Sequence, residues 1–164
     1  MSILTIILCA FIVIATFLFW EFVAWFSHKY IMHGFLWVWH KSHHTVHNHE
    51  LERNDLFAVV FSIPSIAIFY YFTIVHYNPY MIAVGIGILC YGIFYFIFHD
   101  IIVHQRIRWR PVKRSRYLQR MINAHYVHHA KHTKEDCEAF GFLYAPKKYE
   151  PKIFSFKQNR QETQ

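Results

Sequence analysis

Charge is scarce in this chain. Asp, Glu, Lys and Arg make up 16% of its 164 residues, against 55% hydrophobic and 20% aromatic residues, and mean hydropathy is above zero. That balance argues against an ordinary water-soluble domain and fits a polytopic membrane protein with a modest polar portion. Cysteine is scarce too. Cys9 and Cys90 lie in apolar runs and Cys137 stands alone in a polar segment, so there is neither a disulfide framework nor a Cys-x2-Cys metal motif. No Lys or Arg precedes the apolar run at 3–20 and no small-residue cleavage site follows it, which argues for a retained span over a cleavable signal peptide.

Apolar character at 3–26, 56–75 and 80–98 predicts three membrane helices, since about 20 residues of helix cross roughly 30 Å of hydrocarbon. Pro64 is expected to kink the second helix rather than end it, and His76-Tyr77-Asn78-Pro79 reads as a tight turn. Gly85 and Gly92 are seven apart on the third helix and share a face, which suits close helix packing, with room for a long ligand as the alternative. Glu21 lies near the end of the first run, either as a functional group or as a side chain reaching water.

All 17 Lys and Arg fall in 21–55 or 99–164. The positive-inside rule then makes those segments cytoplasmic and puts the N-terminus outside. The net charge of +7 is thereby explained without nucleic acid. The basic stretch from Arg106 to Arg120 reads as a juxtamembrane segment touching anionic headgroups, with docking of an acidic electron-transfer protein as a second use.

Histidine is what the chain has in abundance, with 14 residues. His28-x4-His33 is followed by His40-x2-His43-His44, and the pattern returns as His99-x4-His104 followed by His125-x2-His128-His129. The predicted topology gathers these ten on one membrane face and leaves His76 opposite. Neutral imidazole is the commonest protein metal ligand. Ten imidazoles exceed the needs of one metal, so two metals, each with several nitrogen ligands and an open position, fit the count; a structural zinc would need four. Imidazole alone does not separate zinc, copper, nickel and iron.

Within each His-x2-His-His box, positions i, i+3 and i+4 of a helix lie within about 100°, so the three rings are expected to converge on one pocket. Positions i and i+5 of a regular helix differ by roughly 140°. For His-x4-His, either the helix unwinds or the pair serves two metals. His43-His44-x2-His47 is an alternative grouping that leaves His40 open as a ligand. His47, His49 and His132 are extras, and Glu21, Asp55 and Asp100 are candidates for orienting a ligating ring.

The four boxes in this order resemble those of the bacterial β-carotene hydroxylases, within the fatty-acid hydroxylase superfamily of membrane di-iron enzymes. The likeness extends to His28-Lys-Tyr-Ile-Met-His33-Gly, Asn54-Asp-Leu-Phe-Ala-Val-Val60 and His99-Asp-Ile-Ile-Val-His104-Gln-Arg106, and covers roughly 20–145. The resemblance implies two iron ions held by the ten histidines, and dioxygen as co-substrate. It also implies an external electron donor that is ferredoxin-like in related systems. The implied reaction is hydroxylation of carbon 3 of the β-ionone ring, taking β-carotene through β-cryptoxanthin to zeaxanthin.

The fold expected is all-α: a polytopic membrane bundle in the inner membrane with a cytoplasmic histidine-rich di-metal cap. One domain covers 1–145, and 146–164 is a polar, mobile tail. Trp25, Phe26, Trp37 and Trp39 are candidates to line the approach of a carotenoid ring, although aromatics also gather at bilayer interfaces without touching substrate. Ketolase, fatty-acid hydroxylase and desaturase are rival oxygenases. A membrane metal transporter is disfavoured because the second and third spans carry no charge.

Overall fold

The computed structural model describes residues 1–45, 51–107 and 115–151. His47, His49, residues 108–114 of the basic stretch and residues 152–164 of the expected tail lie outside these residues. Among them every regular element is helical. Helix α1 (Ile3–Phe26) starts at Ser2, whose side chain accepts the Thr5 amide at 3.1 Å, and continues as a wider helix over Ser27–Phe35. A short α2 (Trp37–His40) follows and runs into a tight turn at Lys41–His44. Helix α3 (Leu56–Tyr70) passes through Pro64 without ending. Helix α4 (Pro79–Tyr95) begins with Asn78 as cap and Pro79 in the first turn, where a missing N–H costs nothing. It too widens, over Phe96–Val103. Helix α5 (Arg116–His129) is capped by Ser115.

Three helical segments, Ile3–Phe35, Arg53–Val75 and Pro79–Val103, are long and apolar enough to span a membrane. Their cores coincide with 3–26, 56–75 and 80–98. Ile3, Ile7, Phe11, Ile14, Leu18 and Phe22 are all exposed along α1. A stripe like that is consistent with a lipid-facing helix.

Glycines bring the spans together. A Cβ on Gly87 would lie 2.6 Å from Thr16 Cβ and 2.8 Å from the Val13 carbonyl oxygen, so α1 and α4 touch backbone to backbone. Gly85 packs on α3, 3.0 Å from Ile68 Cγ2. Gly92, expected to share the packing face of Gly85, meets nothing within 4 Å. The second close-packing glycine is therefore Gly87.

At the far end from the His76 turn, α5 and the loop after it close over the helix ends. Met121, Ile122, Phe98, Val103 and Phe142 form the core there. Residues 146–151 continue that packing. Tyr149 is buried, its carbonyl accepts from Asn123 Nδ2, and Glu150 pairs with Arg120 at 2.9 Å.

Candidate metal centre

The His-x4-His pairs show why the helices widen. Both lie in stretches with i→i+5 backbone hydrogen bonds, including His104 N–H to the His99 carbonyl at 2.9 Å. An i→i+5 ladder has more residues per turn than an α-helix and brings residue i+5 to within roughly 50° of residue i. His28 and His33 thus share a face, as do His99 and His104, and each pair serves a single cluster. The helices unwind; the pairs do not split.

The His-x2-His-His boxes do split, contrary to the expected convergence on one pocket. His28, His33, His40, His44 and His128 form one cluster, and His43, His99, His104, His125 and His129 the other, with one nitrogen per ring inside 4.8 Å in each. His43 and His128, the middle members, cross over. The end members at i and i+4 lie on one helical face, while i+3 leans to the other side. The two centres are neighbours, with the rings of His44 and His129 stacked at 4.6 Å. His40 belongs to the first cluster. His132 joins neither, and its Nδ1 bonds instead to the His44 carbonyl.

In the first cluster every Nδ1 has an acceptor that can only accept. His28 donates to the Phe140 carbonyl (3.0 Å), His33 to Lys134 (3.2 Å), His44 to Lys131 (2.7 Å) and His128 to Glu138 (2.9 Å), while His40 donates to Asn54 Oδ1 (2.7 Å). Each neutral ring therefore has a bare Nε2 facing the centre. His28 and His40 bring theirs to 3.1 Å, His40 and His44 to 3.2 Å, and His33 and His128 to 3.2 Å. Lone pairs held that close are suited to share a cation.

The second cluster packs likewise, with Nε2 atoms at 2.8 Å for His43 and His99 and 3.1 Å for His104 and His125. Here two rings are backed by carboxylates: His43 by Glu52 at 3.0 Å and His99 by Asp100 at 3.3 Å. Such backing fixes the tautomer and raises ligand basicity. His129 Nε2 is buried without a partner, as an atom waiting for a metal would be.

Proton competition is weak in this setting. Burial, reinforced by crowding among the rings, lowers His40 to about 2, His44 to about 4, and His104 and His128 to about 3; it also lowers His43, His125 and His129. At neutral pH these rings offer lone pairs, as metal ligands must.

Of the three acidic candidates, only Asp100 orients a ring. Asp55 holds Arg106 in a bidentate pair (2.6 and 2.8 Å), and Arg106 also grips Asp100 at 3.0 Å. Glu21 accepts the Phe142 and Leu143 amides (2.8 and 2.9 Å) and the Tyr91 hydroxyl (2.7 Å), and so pins the 138–143 loop to α1 and α4.

That loop, Asn54 and Glu52 were not singled out as ring partners from sequence. Asn54 stood in the quoted flanking text; the loop carries no motif. Ala139 holds a left-handed φ of 62° between the two carbonyls that receive His128 and His28. Phe142 stacks on His28 and abuts His99 and His125.

A cavity of about 810 Å³ opens between α1, α3 and α4 and reaches His28, His40 and His99. Trp25, Phe26, Trp37 and Trp39 do not line it. Trp37 packs on His33 and His44, and Trp39 on Phe57. The aromatic walls come from Trp20, Phe57, Phe61, Tyr95, Phe96 and Phe142.

Fold and site together define a protein of helices long and apolar enough to span a membrane, with twin all-histidine clusters at their ends that are compatible with a metal site. Residues 13–145 match the fatty acid hydroxylase family, and the chain belongs to that family. It is 44% identical to the Beta-carotene hydroxylase of Paracoccus sp. (strain PC1), over 82% of this chain and 83% of that protein. It is 46% identical to the Beta-carotene hydroxylase of Pantoea ananas, over 84% and 77% respectively. The chloroplastic Beta-carotene 3-hydroxylase 2 of Arabidopsis thaliana is 32% identical over 79% of this chain, which covers 43% of that longer protein. No solved structure matches. The chain is a hydroxylating oxidoreductase of the membrane.

Proposed function

We propose that this protein is a β-carotene 3-hydroxylase, converting β-carotene to β-cryptoxanthin and then zeaxanthin. The observation that carries the reading is an apolar cavity running from between the spans straight to three cluster histidines, His28, His40 and His99. A carotenoid is a long hydrocarbon rod that stays in the bilayer while one ring reaches a polar end, and this cavity has that polarity. The hydroxylases similar to this chain act, by their names, on the same substrate.

In this reading the ten histidines would hold two iron ions, five imidazoles to each. Bound iron would supply the oxidising power towards an inert C–H bond, with dioxygen, two protons and two electrons from a ferredoxin-like or other reductase yielding the alcohol and water. The chain's own part is positional. Asp100 and Glu52 fix two imidazoles, the loop carbonyls fix four more, and Phe142 touches rings of both clusters and lines the cavity at its metal end. The apolar walls exclude water from the reacting ring. The charge distribution supports an inner-membrane protein with its N-terminus outside and its metal centre on the cytoplasmic side.

Expression in bacteria already making β-carotene tests this directly. Pigment chromatography is expected to show β-cryptoxanthin and zeaxanthin, and to lose both in His43→Ala and His128→Ala while the protein still inserts. Unchanged β-carotene with iron supplied refutes the reading, and new ketone groups move it to ketolase.

A further inference from the structure

Resting on that reading, we infer that Gly92 sets the bore of the substrate cavity and so decides whether a ring-bearing polyene can reach the metals. A glycine inside a helix is unfavourable unless something else requires it. Gly85 and Gly87 are explained by the helices that touch them. Gly92 is not: a Cβ there meets nothing within 4 Å, yet the residue lies on the cavity wall. It and His99, seven residues further on, both line the cavity, with Gly92 roughly 10 Å further from the metal end.

The wall around it has been cleared of polarity. Ser62 Oγ donates to the Val59 carbonyl at 2.7 Å, Ser65 Oγ to the Gly85 carbonyl at 3.2 Å, and the Tyr91 hydroxyl to Glu21 at 2.7 Å. The fourth lining hydroxyl belongs to Tyr95, whose ring stacks on His99 at the metal end. The middle of the cavity therefore offers a guest mainly hydrocarbon and aromatic faces. Polar side chains are confined to the metal end, at Asn54, Asp55, Asp100 and Arg106. A slender apolar rod fits such a bore; a guest with a polar middle does not. The missing side chain at Gly92 is the width that the ring needs on its way in.

The test places Gly92→Ala, Gly92→Leu and Gly92→Phe beside Cys90→Phe, which changes an exposed residue of the same helix away from the cavity wall. Three quantities are read: β-carotene conversion, β-carotene co-purifying with anaerobic protein, and iron per chain. Conversion and retained β-carotene are expected to fall together in the order Ala, Leu, Phe, by at least roughly tenfold at Phe, as for other changes of pocket size. Iron per chain and Cys90→Phe are expected to match the parent. Parental conversion by Gly92→Phe overturns the inference. So does a parallel loss of iron, which makes Gly92 part of the frame. A parent protein that leaves β-carotene untouched overturns the hydroxylase reading instead.

Discussion

His43 and His44 are neighbours in the chain, yet they serve different clusters, and that crossing can be measured. Four-ligand zinc sites bind with about 10–16 kcal/mol, or roughly 3 kcal/mol per ligand. At about 1.4 kcal/mol per decade, removing one of five imidazoles weakens its site by about a hundredfold. A chelator poised inside that window strips one metal from His43→Ala and one from His44→Ala. The double variants separate geometry from sequence. His43→Ala with His129→Ala damages a single cluster and is expected to keep one iron per chain. His43→Ala with His44→Ala damages both and is expected to keep none. Metal analysis of purified protein reads the result. The reverse pattern, one iron kept by the 43/44 pair and none by 43/129, refutes the crossed assignment and restores each box to a single metal.

Glu21 and proton competition give two further tests. Glu21→Ala leaves two loop amides and the buried Tyr91 hydroxyl without their anionic acceptor, a cost of about 3–5 kcal/mol for hydrogen bonds to a charged group. Glu21→Gln keeps an amide oxygen for both N–H groups and should cost about 1 kcal/mol; equal thermal stability of the Ala variant and the parent rules out the staple role. Metal-free protein is expected to lose stability on acidification. His40, His44, His104 and His128 sit at about 2 to 4 when folded, against about 6.5 unfolded. The unfolded chain therefore binds more protons between those limits, and stability is full above pH about 6.5 and falls below it. A flat unfolding midpoint from pH 7 to pH 4.5 contradicts the buried, neutral rings.

The spans were legible because a bilayer demands about 20 apolar residues and little else, and the ten histidines because their spacing repeats. What escaped is what side-chain identity does not encode. Lys131, Lys134, Glu138 and Phe140 receive imidazole N–H groups through backbone carbonyls, which any residue supplies. The left-handed Ala139 that aims two of them is an unfavourable choice for a residue with a Cβ. The crossing of His43 and His128 depends on where the facing helix lies, so a box read as an isolated helix face must miss it. Glu21 was noticed for its charge, but its partners are 121 and 122 residues away.

The division of labour among those partners explains how one centre faces hydrocarbon on one side and polar backbone on the other. Imidazoles that hold metals need acceptors behind them, and an acceptor on the cavity side would set an exposed polar atom against the substrate. None of the four residues that offer carbonyls lines the cavity. The acceptors that do line it, Asn54 and Asp100, are at the metal end, and each is already engaged by a ring. The i→i+5 stretches complete the arrangement. They turn both histidines of each pair towards the centre at the point where the spans end, so the cavity meets polar side chains only beside the metal ligands. An ordinary helical ladder would aim one histidine of each pair about 140° away from the other, leaving a polar ring on the lipid or cavity face. The widened helix ends are therefore what lets a hydrocarbon pocket and a ten-nitrogen centre share one wall.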